Sequence, residues 1–298
     1  MRLVTFRTGN DNRHQLGVIS DAGDEVVTIS GSYLSAPESM LDLIAGAPES
    51  LRRIGANAAH LPSRYPLKGV QLLAPIARPR RNIFCIGKNY RDHVNEVGTA
   101  LPDTASKGDN IPTSPVVFTK ATTSVTGPDS EIPSWLDTSD STDYEGELAV
   151  VIGKGGRGID VADAMNHVFG YTIVNDVTAR RMQKQHGQWF LGKSLDGYCP
   201  MGPMIVTADE IPDVAALQLQ TRVNGELRQD GSVADLIFAI PELIATLSHG
   251  MTLEPGDVIA TGTPAGVGMG FDPHRFLQPG DVVEITIDPI GTLRNTVA

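Results

Sequence analysis

Cysteine is scarce: Cys85 and Cys199 are the only two in 298 residues. Two thiols cannot form a disulfide framework, or a zinc or iron–sulfur site built mainly on cysteine. Basic residues are also few. Lys and Arg total 24 against 35 Asp and Glu, a net charge of −11. That balance argues against nucleic acid as a partner, because such binding rests on clustered cations. It argues equally against anionic membrane surfaces. No apolar run approaches the ~18–20 residues that span a bilayer. The opening MRLVTFRTGNDNRHQ has no apolar stretch of the kind a secretory signal carries. A protein of the reducing cytoplasm is expected, with neither nucleic acid nor membrane as partner.

Hydrophobic residues make up 41% and charged ones 20%, enough apolar material for a sizeable core. Thirty-one glycines and 20 prolines punctuate many short β-branched runs, the pattern of a strand-rich chain with tight turns. RLVTF, QLGVIS and EVVTI read as strands, and 40–54 as a helix. Residues 61–81 read as a linker or a wrapping strand, and a boundary near residue 73 divides a small β-rich part, 1–72, from a larger one, 73–298. In the larger part NIFCIG, PVVFTK, GELAVVIG, GYTIVND, GPMIVT, LQLQTRVNG, DVIATG and DVVEITI read as strands, and 90–97 as a short helix. The segment 98–115 is polar and aperiodic, and loops of such length are usually functional or disordered; just after the helix bearing His93 and Glu96, a mobile lid is expected there. LEPGDVIATG and LQPGDVVEIT echo one another and read as two similar turns.

Six groups of residues carry chemistry. In DYEGELAVV, alternation along a strand puts Glu145 and Glu147 on one side and Leu148, Val150 and Ile152 on the other. Paired carboxylates repel, and a hard cation would relieve that; a solvated strand face is the alternative. Asp176 ends the strand GYTIVND and is either the N-cap of a helix from 177 or a third carboxylate. Arg180 and Gln183, at i+4 and i+7 from it, would share a helical face. Lys193 lies between small residues, as a buried cation or an ordinary surface lysine. Lys120 ends PVVFTK, with its amine directed into a cleft or solvated. His93 and Glu96 are spaced i, i+3 on a helix, where a carboxylate can orient an imidazole for proton transfer. The glycine-rich ATGTPAGVG, with Thr263 inside it, frees backbone N–H groups to hold an oxyanion or carboxylate.

In this order, GKNYRDHVNE, FTK, DYEGELAVVIG, GYTIVNDVTARR, GKSLDGYCPMGP, TGTPAGVG and GTLRNTV resemble the fumarylacetoacetate hydrolase family over nearly all of 73–298. Residues 1–72 resemble the small amino-terminal domain of its longer bacterial members. The resemblance implies an α+β, β-rich fold: a mixed β-roll with short flanking helices. It implies that Glu145, Glu147 and Asp176 hold Mg²⁺ or Mn²⁺, with Ca²⁺ also compatible with an all-oxygen set. His93 and Glu96 match the dyad that activates water, and Lys193 the lysine beside the metal. Lys120, Arg180, Gln183 and Thr263 match residues of the substrate cleft. A homodimer and a small keto-acid substrate are implied. The expected reaction is hydrolysis of a C–C bond in an acylpyruvate or 2,4-diketo acid, since the intact dyad suits an activated water. Oxaloacetate decarboxylation, keto–enol tautomerisation and isomerisation draw on the same enolate-stabilising site. A silent keto-acid binder is the alternative outside enzymology.

Overall fold

The computed structural model describes residues 1–9, 13–30, 36–57, 61, 63–100 and 111–298. Strands β1 (Arg2–Thr8), β2 (Gln15–Ile19) and β3 (Glu25–Thr28) form an antiparallel meander. The expected helix over 40–54 is two helices, α1 (Met40–Ala45) and α2 (Glu49–Asn57). Ser39 caps α1 in a reciprocal capping box with Asp42. Pro48 explains the break after Gly46, because the residue before a proline is driven out of helical geometry. Within the expected linker or wrapping strand, two short strands form: β4 (Arg64–Pro66) pairs with β3, and β5 (Val70–Leu73) with β1, joined by a 3-10 turn at Leu67–Gly69. Leu73, near which the boundary is expected, is the last residue of β5.

The larger part contains β6 (Ile83–Gly87), α3 (Arg91–Ala100), β7 (Val116–Lys120), β8 (Val125–Thr126), β9 (Glu131–Ile132), β10 (Thr142–Asp143), β11 (Gly146–Ile152) and β12 (Val168–Asn175). Then come β13 (Thr178–Ala179), α4 (Arg180–Gln185), α5 (Phe190–Lys193), β14 (Cys199–Thr207), β15 (Gln218–Val223), β16 (Glu226–Ser232), α6 (Ile240–Ser248), β17 (Val258–Ala260), β18 (Val282–Ile287) and β19 (Gly291–Val297). The long sheet runs β4-β3-β2-β1-β14-β12-β11-β17-β6-β7, with β5 and β8 alongside. It crosses between the two parts where Leu3 of β1 pairs with Ile205 of β14. A second sheet has the order β16-β15-β18-β19-β9.

The β-rich α+β expectation holds, and the layering explains one departure from it. Strand β11 is buried on both faces. Leu148, Val150 and Ile152 pack with Leu219, Val223, Ile285 and Leu293 of the second sheet. Ala149 and Val151 pack the other way with Met40, Leu43, Ile44 and Ile54 of the helices. A strand between two layers has no solvated face, so Glu147 on β11 cannot be a surface residue. The two Pro-Gly-Asp echoes are turns built alike. Asp257 Oδ2 accepts from the Glu254 amide at 2.7 Å, and Asp281 Oδ2 from the Gln278 amide at 2.8 Å. No helix among the described residues is long and apolar enough to cross a membrane.

Candidate active site

Pairing of β11 with β12 sets Gly146 opposite Asn175. The Asp176 amide donates to the Glu145 carbonyl at 2.8 Å, and the Glu145 amide to Asn175 Oδ1 at 3.0 Å. Two strand ends therefore bring Glu145, Glu147 and Asp176 together. All three are buried, and one oxygen from each lies within 4.8 Å of the others. Asp176 is not a helix N-cap: α4 begins only at Arg180, behind Ala179, with no side-chain cap. The short β13 intervenes, so the strand-to-helix register assumed from sequence slips, and Arg180 and Gln183 reach the cavity from the start of α4.

Three buried cations answer these carboxylates. Lys193 Nζ donates to Glu145 Oε2 at 2.7 Å and Asp176 Oδ2 at 2.8 Å. Arg180 Nη1 lies 2.6 Å from Glu145 Oε1, and its Nε donates to Asp143 Oδ2 at 2.9 Å. Lys120 is wholly buried; its amine donates to Asp176 Oδ1 at 2.8 Å, to the Val177 carbonyl at 3.0 Å and to the Lys193 carbonyl. Its three N–H donors are spent, so it braces Asp176 from below rather than lining the cleft. Four carboxylates, counting Asp143, thus face three cations out of water. Burial opposes the charge on Glu145, but Lys193, Arg180 and His93 hold its carboxyl well below the usual range. Glu147 is pushed the opposite way, by burial and then by Asp176 and Glu145. It accepts from the Gly262 amide at 2.8 Å and has no side-chain cation at ion-pair distance among the described residues. An all-oxygen donor set with one uncompensated buried carboxylate fits a hard divalent cation such as Mg²⁺, Mn²⁺ or Ca²⁺. A divalent ion together with a singly charged substrate head would balance the cluster.

His93 projects from α3 and is 7% exposed. Its Nδ1 faces Glu96 Oε2 at 3.5 Å, too far for a formed hydrogen bond, and is otherwise unpartnered. Glu96 is held instead by the Gly266 amide, at 2.9 and 3.1 Å to its two oxygens. The Gly268 and Met269 amides donate to Asp143 at 2.7 and 3.0 Å. The glycine-rich turn is therefore a nest, as its composition suggested, but it grips three of the protein's own carboxylates: Glu147, Glu96 and Asp143. Thr263 Oγ1 donates to the Gly146 carbonyl at 3.0 Å and accepts from Gln229 Nε2 at 2.7 Å. It lines the cavity with its hydroxyl proton already committed. Gly270 sits against Glu96, and a Cβ there would run into the carboxylate. Gly270→Ala is expected to displace Glu96 and lower kcat by roughly tenfold to a hundredfold, with little change in melting temperature; steady-state kinetics and thermal melts check this.

These groups open on a cavity of about 520 Å³. Glu145, Glu147, His93, Arg180, Gln183, Lys193 and Thr263 are among its polar lining, and Phe118, Trp189 and Met269 contribute apolar wall. Arg180 Nη2 is buried without a hydrogen-bond partner, a donor available to a ligand oxygen. Sequence reasoning missed Asp143 and Gln229. The first had a signal, since Asp143, Glu145 and Glu147 share one period of two. The second had none: Gln229 Oε1 accepts from the Gly146 amide at 3.0 Å across a fold-level contact. Residues 101–110 of the expected lid lie outside the described residues.

The chain is similar to several known proteins. The family model for the fumarylacetoacetate (FAA) hydrolase C-terminal domain matches residues 82–298. Oxaloacetate tautomerase YisK of Bacillus subtilis (strain 168) is 58% identical over 233 residues, 78% of this chain and 75% of that protein. A fumarylacetoacetate hydrolase structure from Exiguobacterium antarcticum aligns with a TM-score of 0.81 at 42% identity, covering 100% of this chain and 99% of the other. A maleylpyruvate hydrolase from Sphingobium sp. SYK-6, solved with manganese(II) and pyruvate, aligns at 0.78 and 33% identity, covering 100% and 99%. The chain is thus a member of the fumarylacetoacetate hydrolase family and an enzyme of that superfamily.

Proposed function

We propose that this enzyme interconverts the keto and enol forms of oxaloacetate, using a divalent cation. The observation that carries the proposal is the pairing, in one cavity, of an uncommitted imidazole with a buried oxygen cluster short of positive charge. The 58% identity to an oxaloacetate tautomerase supports the choice of substrate. Glu145, Glu147 and Asp176 would hold the cation, which would supply Lewis acidity for enolisation of the 2-oxo acid.

The rest is the work of the chain's own residues. With Nδ1 turned to Glu96, His93 has Nε2 left for the cavity. Closing the 3.5 Å gap would fix the Nδ1–H tautomer and make Nε2 the base that takes the C3 proton and hands it to the C2 oxygen, or carries it back from oxygen to carbon in the reverse direction. Lys193 is a poor alternative base. Burial disfavours its charge, but Asp176 and Glu145 outweigh this and raise its pKa, so it stays an ammonium beside the oxygen on which negative charge develops. Arg180 Nη2 supplies a further donor for substrate oxygen.

Hydrolysis of an acylpyruvate is the second reading, with His93 taking the proton from water instead of carbon. The cavity volume favours it, being larger than a four-carbon acid needs, as does the likeness to a maleylpyruvate hydrolase. One assay separates the two. With Mg²⁺ or Mn²⁺ present, decay of the enol absorbance of oxaloacetate is expected to accelerate and to return to the buffer rate with EDTA. Release of pyruvate and a second acid from an acylpyruvate, with no effect on the oxaloacetate enol, would select hydrolysis.

A further inference from the structure

We propose that Lys88 recognises the distal carboxylate of a dicarboxylic 2-oxo acid, a role that rests on the cavity taking such an acid at its carboxylate cluster. The sequence has seven lysines, and three of them, Lys88, Lys184 and Lys193, line the cavity. Lys193 is paired with Glu145 and Asp176, and Lys184 is exposed on α4. Lys88 is half-buried in the wall, and its side chain has no hydrogen bond or ion pair among the described residues. In a chain with 35 acidic residues to 24 basic ones, a partly buried cation left unpaired in a ligand cavity is a site for an anion from outside.

The backbone supports this. Lys88 has φ of 56°, the left-handed region that side chains other than glycine and asparagine rarely adopt. A turn needing only that conformation would be better served by glycine. Non-glycine residues held there cluster at ligand clamps. Both neighbours are fixed. Gly87 lies so close to the Trp189 ring that a Cβ would collide with it. Asn89 is locked by its side chain, which accepts from the Phe238 amide at 2.8 Å and donates to the Thr261 carbonyl at 2.8 Å.

An apolar wall leads from the cluster to Gly87, the neighbour of Lys88 in sequence. Lys193 Nζ sits 5.0 Å from the Phe118 ring centre, and Phe118 lies 5.2 Å from Trp189, which abuts Gly87. On the other side, a Cβ on Gly262, whose amide holds Glu147, would be 2.8 Å from Asn89 Cβ. Lys88 is therefore next in sequence to a residue packed on the metal-ligand support. The cavity combines a charged cluster, apolar wall from Phe118 and Trp189, and the separate positive charge of Lys88, the features that a short acid with two carboxylates would use.

Calorimetry on the Mg²⁺-loaded protein tests this with two ligands, 2-oxobutyrate, which ends in a methyl group, and 2-oxoglutarate, which ends in a second carboxylate. The parent is expected to prefer 2-oxoglutarate by about tenfold or more, as a hydrogen bond to a charged group gives. Lys88→Gly, which relaxes the backbone and removes the amine, is expected to lose that preference while keeping its affinity for 2-oxobutyrate; Lys88→Arg is expected to retain it. Equal binding of the two acids by the parent, or an undiminished preference in Lys88→Gly, overturns the role of Lys88. Binding of neither acid overturns the 2-oxo-acid reading beneath it, so the two failures are distinct.

Discussion

Replacing His93 with alanine is expected to slow oxaloacetate enol–keto interconversion by about 10²–10⁴-fold, the range a positioned general base contributes. Divalent-ion binding should be unaffected, because the imidazole is not part of the oxygen cluster. The variant also tests the division of labour. Decarboxylation of oxaloacetate needs an electron sink but no base, so any such activity should survive. Acylpyruvate hydrolysis needs an activated water and should fall with tautomerisation. Enol absorbance at saturating Mg²⁺, beside calorimetry of the ion, reads both quantities. A variant that interconverts the two forms at the parent rate would remove His93 from the chemistry.

Glu147→Gln should separate ion binding from folding. In the ion-free protein the Glu147 carboxyl resists ionisation, first through burial and then through Asp176 and Glu145. Glutamine is a near-isostere of the neutral acid and can still accept from the Gly262 amide. The ion-free variant should therefore lie within about 1 kcal/mol of the parent. The response to the ion should differ sharply. A ligand at a hundred times its Kd stabilises the native state by about 2.7 kcal/mol, and the variant should lose most of that gain. Thermal melts with and without Mg²⁺ check the prediction. A drop in stability without the ion, or an unchanged response to it, would mean that Glu147 is structural.

Much of the fold was legible because it rests on local period. Alternating β-branched runs marked the strands, and the same period placed Glu145 beside Glu147. What depended on register was not legible. Asp176 read equally as a helix cap or a third carboxylate, and only the pairing of Gly146 with Asn175 decides it. Lys120 read as a cleft residue because nothing local shows that its amine meets Asp176, Val177 and Lys193 from beneath. The glycine-rich turn was identified as a nest, but its guests come from distant segments: Glu96 lies 170 residues from Gly266, and Asp143 lies 125 from Gly268. The family resemblance named most of the cavity's polar residues, while the bracing by Asp143 and Gln229 emerged only from packing.

The hydrogen-bonded seam between β1 and β14 bears on how this enzyme can be trimmed. Arg2 and Leu3, outside the region matched by the family model, pair with Val206 and Ile205 inside it. Cutting at the family boundary would strip one flank of β14 and leave a row of bare backbone donors and acceptors, a template for another chain to add a strand. A minimal catalytic fragment should therefore keep its first strand or carry a substitute for it.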